Sequence, residues 1–280
     1  MTELLYDVPT GLIAAVLMLS MLMATEFGYR VGLKRRVVIG EAAKEHINGI
    51  QSSILGILAL LLGFTFSLAL QRFDSRSEAV VDEANAIGTA WLRTQLLPTT
   101  LRAEAQATLR AYTDLRVQAS QLAEVDRAPR QALAAQATAA QNLLWAQARR
   151  GIEFDTNAYT PVLFVESVNA LIDSYGKRDA ALNRHVPELV LLLMHSTFLV
   201  AGGIVGFASG TGGHRPSLVS YLMIGLIVVL VFIVLDLDRP RRGLIEVSQK
   251  SLLDLQASMR AGAGPLAAVA TPQRAASAAR

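Results

Sequence analysis

Residues 53–93 read SILGILALLLGFTFSLALQRFDSRSEAVVDEANAIGTAWLR, and no proline follows them until Pro98. A heptad count from Ser53 picks out Ser53, Gly56, Leu60, Gly63, Ser67, Leu70, Asp74, Ser77, Val81, Ala84, Gly88 and Trp91. Alternating steps of three and four put these residues on one helical face, and that face is mostly small or polar. Its period does not change where the uncharged stretch 47–71 gives way to Arg72 and Asp74. One helix from about Ile50 to Leu97 is therefore expected, roughly 72 Å long at 1.5 Å per residue. A hydrocarbon core is about 30 Å thick, so about 40 Å of this helix would project beyond it and join membrane and soluble parts in one rigid unit.

The rest of the chain fits around that helix. Four stretches, 8–25, 47–71, 189–213 and 216–235, contain none of the 26 Lys and Arg or 23 Asp and Glu residues. Each reaches or approaches the roughly 20 apolar residues that a spanning helix needs. A uniformly soluble globular protein is excluded. The expected fold is all-α: four transmembrane helices in two hairpins, 8–71 and 189–235, with a helical soluble domain, 72–188, inserted between spans two and three. In that insert Leu101, Ala105, Thr108, Tyr112, Leu115, Ala119 and Leu122 share one face. Leu133, Ala137, Ala140, Leu144 and Ala148 share another, up to an expected break at Arg150-Gly151. A third helix is expected after Thr160-Pro161, with Thr160 as N-cap and Pro161 in the first turn. Residues 236–260 read as a charged break followed by an amphipathic helix from Leu244 to about Met259, and 261–280 as a disordered Ala-rich tail.

Composition narrows the chemistry. The chain has 0 Cys, which removes disulfides, Cys-type zinc sites, Fe–S clusters and thiol nucleophiles. The net charge of +3 is mild, and no basic run is longer than Lys34-Arg35-Arg36, so nucleic acid is not an expected partner. The acidic, Lys-free N-terminus predicts no cleaved signal peptide. HExxH, GxSxG and Walker motifs are missing, and no His and carboxylate spacing suits a metal. No catalytic residue, metal or cofactor is expected, and the chain does not read as an enzyme.

Three groups of residues stand out as candidate sites. The first is the stripe Ser53, Gly56, Leu60, Gly63, Ser67 and Asp74, which could line a pore if repeated around a symmetry axis. Small residues also serve close helix packing, and the sequence leaves both readings open. The second is His195, followed by Ser196 and Thr197, near the middle of span three. An ionisable residue at that depth is a functional candidate because charge is costly there; a neutral imidazole bonded to a neighbouring helix explains it equally. Span three continues with Gly202, Gly206 and Gly210, a ridge that suits close packing. The third comprises the span-end charges: Glu26 at the close of span one, and Asp236, Asp238 and Arg239 at the close of span four. These either mark the interface, pair with arginines to fix the span ends, or form an ion vestibule.

Positive residues favour the cytoplasmic side of a membrane. With the N-terminus inside, the cytoplasmic flanks hold Arg72, Arg76, Lys177, Arg178, Arg184, Arg239, Arg241, Arg242 and Lys250. The opposite flanks hold Arg30, Lys34, Arg35, Arg36, Lys44 and Arg215. The larger group favours both tails and the insert in the cytoplasm, although the cluster at Lys34 pulls the other way.

Two strings, 53–93 quoted above and LDLDRPRRGLIEVSQKSLLDL at 235–255, resemble the bestrophin-like family of bacterial membrane proteins. The layout of two hairpins around a helical domain extends the resemblance to about residues 8–258. Bestrophins proper are pentameric anion channels whose second span lines the pore, with the inserted domain and both termini in the cytosol. The resemblance therefore implies a homo-oligomeric, anion-permeable channel in the bacterial inner membrane, with lipid, inorganic ions and its own copies as partners. The stripe departs from bestrophin necks: it carries Ser, Gly and Leu where those have bulky apolar rings, with Phe64 and Phe66 off the heptad face. An acidic cluster like their calcium clasp is also missing. Two other readings remain beside the channel: a membrane-anchored sensing or interaction module without a pore, and a pathway within each protomer centred on His195.

Overall fold

The computed structural model describes residues 8–37, 39–122, 127–154, 159–184, 186, 188–239 and 244–262. Every regular element among them is helical: α1 (Thr10–Arg35), α2 (Glu41–Arg93) with a 3₁₀ turn at Thr94–Leu96, α3 (Thr99–Gln121), α4 (Arg127–Phe154), α5 (Tyr159–Leu182), α6 (Glu188–Gly212), α7 (Leu218–Asp238) and α8 (Lys250–Arg260). Helices α1, α2, α6 and α7 are long and apolar enough to cross a membrane. The fold is all-α with four transmembrane helices.

The helices fall into two compact units. The first holds α1, α2 up to Phe73, α6 and α7. Its core comprises Leu17 and Met21 from α1, Leu58 and Leu62 from α2, Met194 and Phe198 from α6, and Ile224, Val228 and Val231 from α7. Lipid tails are as apolar as these side chains, so burial alone does not hold spanning helices together and close contact must. The α1–α6 crossing supplies it. A Cβ on Gly28 would overlap the Gly203 carbonyl, one on Gly206 the Thr25 carbonyl, and one on Gly210 the Tyr29 carbonyl. The tightest pairing thus joins spans one and three, which belong to different hairpins in sequence order. Gly213 ends α6 at φ +78°, a left-handed conformation that only glycine adopts without strain.

The second unit holds α2 from Asp74, α3, α4, α5 and α8. Its buried residues follow the expected faces: Leu101, Ala105, Thr108 and Tyr112 on α3, Ala137, Leu144 and Ala148 on α4, Val168 and Leu171 on α5. The α3 stripe is wider than the heptad suggests, because Leu109, Thr113, Arg116 and Val117 are buried as well.

Several expected boundaries move. Helix α2 starts at Glu41 and runs unbroken for 53 residues, about 80 Å at 1.5 Å per residue. Its α-helical part stops at Arg93, ahead of Leu97. Helix α4 continues through Arg150-Gly151 to Phe154, because a glycine costs a helix only about 1 kcal/mol. Thr160 lies inside α5 rather than capping it. The C-terminal helix begins at Lys250, not Leu244, because the Asp236 carboxylate draws the Leu244 and Ile245 N–H groups into a turn at 3.1 and 2.9 Å. The tail beyond Gly262 lies outside the described residues.

Candidate functional site

In the first unit α2 buries Leu58, Leu62 and Ala69 and turns Ser53, Gly56, Leu60, Gly63 and Ser67 outward. Leu60 is 59% exposed. Among the described residues, no atom of another element lies within 4 Å of a Cβ built on Gly56 or Gly63, in contrast to the glycines of the α1–α6 crossing. Within one chain, then, these two glycines seat no helix. The membrane window of α2 is also the least buried of the four, 17% against 22 to 33%. The Ser53 hydroxyl donates to the Gly49 carbonyl at 2.9 Å, leaving its oxygen lone pairs on the outer face. Asp74, in the second unit, is exposed.

His195 is half-buried on α6, with Nε2 3.5 Å from Ser20 Oγ of α1. It borders a cavity of about 350 Å³ between α1, α6 and α7. Its neighbours take no part: Ser196 Oγ donates to the Leu192 carbonyl at 2.9 Å and Thr197 Oγ1 to the Leu193 carbonyl at 2.6 Å, each within α6.

The span-end charges have separate tasks. Asp238 is 1% exposed, accepts from Arg72 Nη1 at 3.0 Å, and takes the Val186 N–H at 2.9 Å. Asp236 holds the turn at Leu244 and Ile245. The Arg239 guanidinium donates to the Val8 carbonyl and, at 3.1 Å, to Thr10 Oγ1 at the start of α1. Of the three, Asp238 alone pairs with an arginine among the described residues, while Asp236 and Arg239 bind backbone groups and a hydroxyl; together the LDLDR string forms a clamp at the end of α7. Glu26 lies within α1, which continues for nine residues to Arg35, and it pairs with Arg30 at 2.7 Å on the surface.

The second unit contains a cluster that the heptad count passes over. Glu83 is completely buried and accepts from Arg116 Nε at 2.6 Å and from Arg178 Nη1. Tyr112 and Gln141 extend the network, with Gln141 Nε2 donating to the Tyr112 hydroxyl at 3.2 Å. Arg178 also donates to Gln249 Oε1 at 2.7 Å. Burial, reinforced by the Glu83 charge, pushes the Tyr112 phenol above its ordinary range. Burial opposes the Arg116 charge, but Glu83 outweighs it and raises the guanidinium. The available signal was Glu83 itself, between Val80 and Ile87 on an apolar helical line: a charge there must be paired. Among the described residues no group of three or more His, Asp or Glu is arranged to hold a metal ion.

Residues 29–252 match the model of the Bestrophin-like domain. The chain belongs to the bestrophin-like family. Two substituted forms of a bacterial bestrophin homologue from Klebsiella pneumoniae share the fold. One gives a TM-score of 0.62 at 15% identity over 91% of this chain and 99% of the other. The second gives 0.62 at 15% over 86% and 97%. No curated protein matches the sequence. The bestrophin-like match begins at Tyr29, on the glycine-packed part of α1, and ends at Leu252, buried on α8, so it takes in α2, the clamp and the Glu83 cluster.

Proposed function

We propose that this bestrophin-like protein is a homo-oligomeric, anion-permeable channel of the bacterial inner membrane, with α2 lining a central pore. It assembles as a pentamer, as the family resemblance implies, and is not an enzyme. The observation that carries the reading is the outward stripe Ser53, Gly56, Leu60, Gly63 and Ser67, on the least buried span, with glycines that pack against no other helix among the described residues. Around a symmetry axis such a stripe gives a narrow, weakly polar lumen with Leu60 as its bulkiest side chain. No carboxylate stands on it before Asp74, so hydroxyl and backbone dipoles meet the ion without acidic side chains to repel an anion.

Purified protein in planar bilayers is expected to give single-channel currents whose reversal potential follows the chloride gradient. Replacing Ser53, Leu60 or Gly63 changes the unit conductance. Silent bilayers with intact oligomers would overturn the channel and leave a membrane-anchored interaction module. We place both termini and the helical unit in the cytoplasm. Since the chain has 0 Cys, single-cysteine labelling is clean: Thr138→Cys should resist a membrane-impermeant reagent added outside, and Lys34→Cys should react.

A further inference from the structure

The cavity beside His195 is about 350 Å³, within the range of roughly 300–1,000 Å³ typical of small-molecule sites. Its walls come from the early turns of α1 and α6 and the late turns of α7, and among the described residues lining it His195 has the one polar side chain. None of them is charged. Leu12, Val16 and Leu192 on its edge are each more than half exposed, so the opening faces the bilayer rather than the protein core.

The imidazole is incompletely bonded. Ser20 Oγ spends its proton on the Leu17 carbonyl at 3.0 Å, so towards His195 it can only accept, and it does so from Nε2 at 3.5 Å. In that tautomer Nδ1 is an acceptor with no hydrogen-bond partner among the described residues. Hydrocarbon offers it no water. A purely apolar molecule gains nothing by leaving lipid for this cavity, because the walls are as apolar as the tails. A hydrogen-bond donor gains a partner it lacks in the bilayer. Ser20 lies ten residues into α1, about 15 Å along its axis, and a charged head at that depth is costly.

We infer that this cavity binds an uncharged single-chain amphiphile from the bilayer, whose hydroxyl or protonated carboxyl donates to His195 Nδ1 while its chain lies against Leu12, Val16 and Leu235. The site sits on α1, α6 and α7 and is independent of the stripe on α2.

The test uses the full-length protein in phosphatidylcholine nanodiscs with a photoreactive diazirine analogue of 1-dodecanol. Labelled peptides are mapped by mass spectrometry. Labelling is expected within 8–17 and 191–198, displaced by excess 1-dodecanol and not by dodecane. His195→Leu should weaken it by roughly fivefold, the worth of one hydrogen bond; His195→Gln, which keeps an acceptor, should restore most of it, and Val16→Phe should abolish it by filling the mouth. Equal displacement by dodecane, or labelling spread over all four spans, overturns the site, and that competition in the unsubstituted protein decides even if a variant fails to assemble. Disulfide formation between copies carrying Val16→Cys would show a second subunit over the mouth and would also overturn it.

Discussion

At the scale of single residues, Glu83 has the largest consequence per atom. Two guanidiniums depend on its carboxylate in a place that water does not reach. Removing one partner of a buried ion pair leaves the other charge uncompensated and costs about 3–5 kcal/mol. Glu83→Gln should therefore lower the thermal midpoint of the helical unit in detergent strongly. Arg116→Met, which still leaves Glu83 with Arg178, should lower it less. Tyr112 beside it makes a second prediction. Its phenol titrates above the ordinary value in the folded protein, because burial and Glu83 disfavour the phenolate. A raised pKa gives stability that is complete below the unfolded value, about 10, and that fades as pH climbs from there through the folded one. In an alkaline titration followed by near-ultraviolet absorbance, one of the 6 tyrosines should ionise only as the protein unfolds. Tyr112→Phe should remove that late step.

At the scale of elements, glycine has two opposite meanings in the same membrane unit. On α1 and α6 it admits a neighbouring backbone, and a methyl group at Gly28 or Gly206 has nowhere to go. On α2 and α7 the sites of Gly56, Gly63 and Gly225 are open. Gly206→Ala is expected to destabilise the first unit by several kcal/mol, as overpacking against rigid backbone does. Gly225→Ala should be neutral or slightly stabilising, since alanine is the better helix former by about 1 kcal/mol. Melting curves of the two variants in one detergent compare them directly; equal losses would show that the α1–α6 contact does not govern stability. Both positions carry the same residue in a similar apolar run, and no reading of the run alone separates them.

At the scale of the whole molecule, the proposed channel requires several copies of the chain, and the outward stripe of α2 is the surface it assigns to the pore. Gly63→Trp adds a large side chain at a position that packs against no other helix among the described residues. Yield, helicity and oligomer size should stay as they are while conductance falls at least tenfold in planar bilayers. Loss of the oligomer in place of loss of current would instead make Gly63 a packing residue between copies, the other role open to small residues in a spanning helix.

The amino-acid sequence is enough to show that the chain is helical, that it has four membrane-spanning stretches, and that one heptad count runs through α2 from Ser53 to Trp91. Those properties follow from hydrophobic length and from the 3.6-residue repeat, both local to the chain. It also marked the family, through the 53–93 and 235–255 strings. Which helices meet emerges from packing alone. Spans one and three pair most tightly because their glycine ridges fit each other, although neither ridge names its partner. Asp236, Asp238 and Arg239 looked alike as span-end charges, and the structure separated them by what each reaches: a turn N–H pair, Arg72 and the start of α1. Glu83 with Arg116 and Arg178 was the least visible, since its members are far apart in sequence and become one site only when three helices bury them together. Periodicity shows the face that a helix turns inward, and what lies across from that face is fixed by long-range packing.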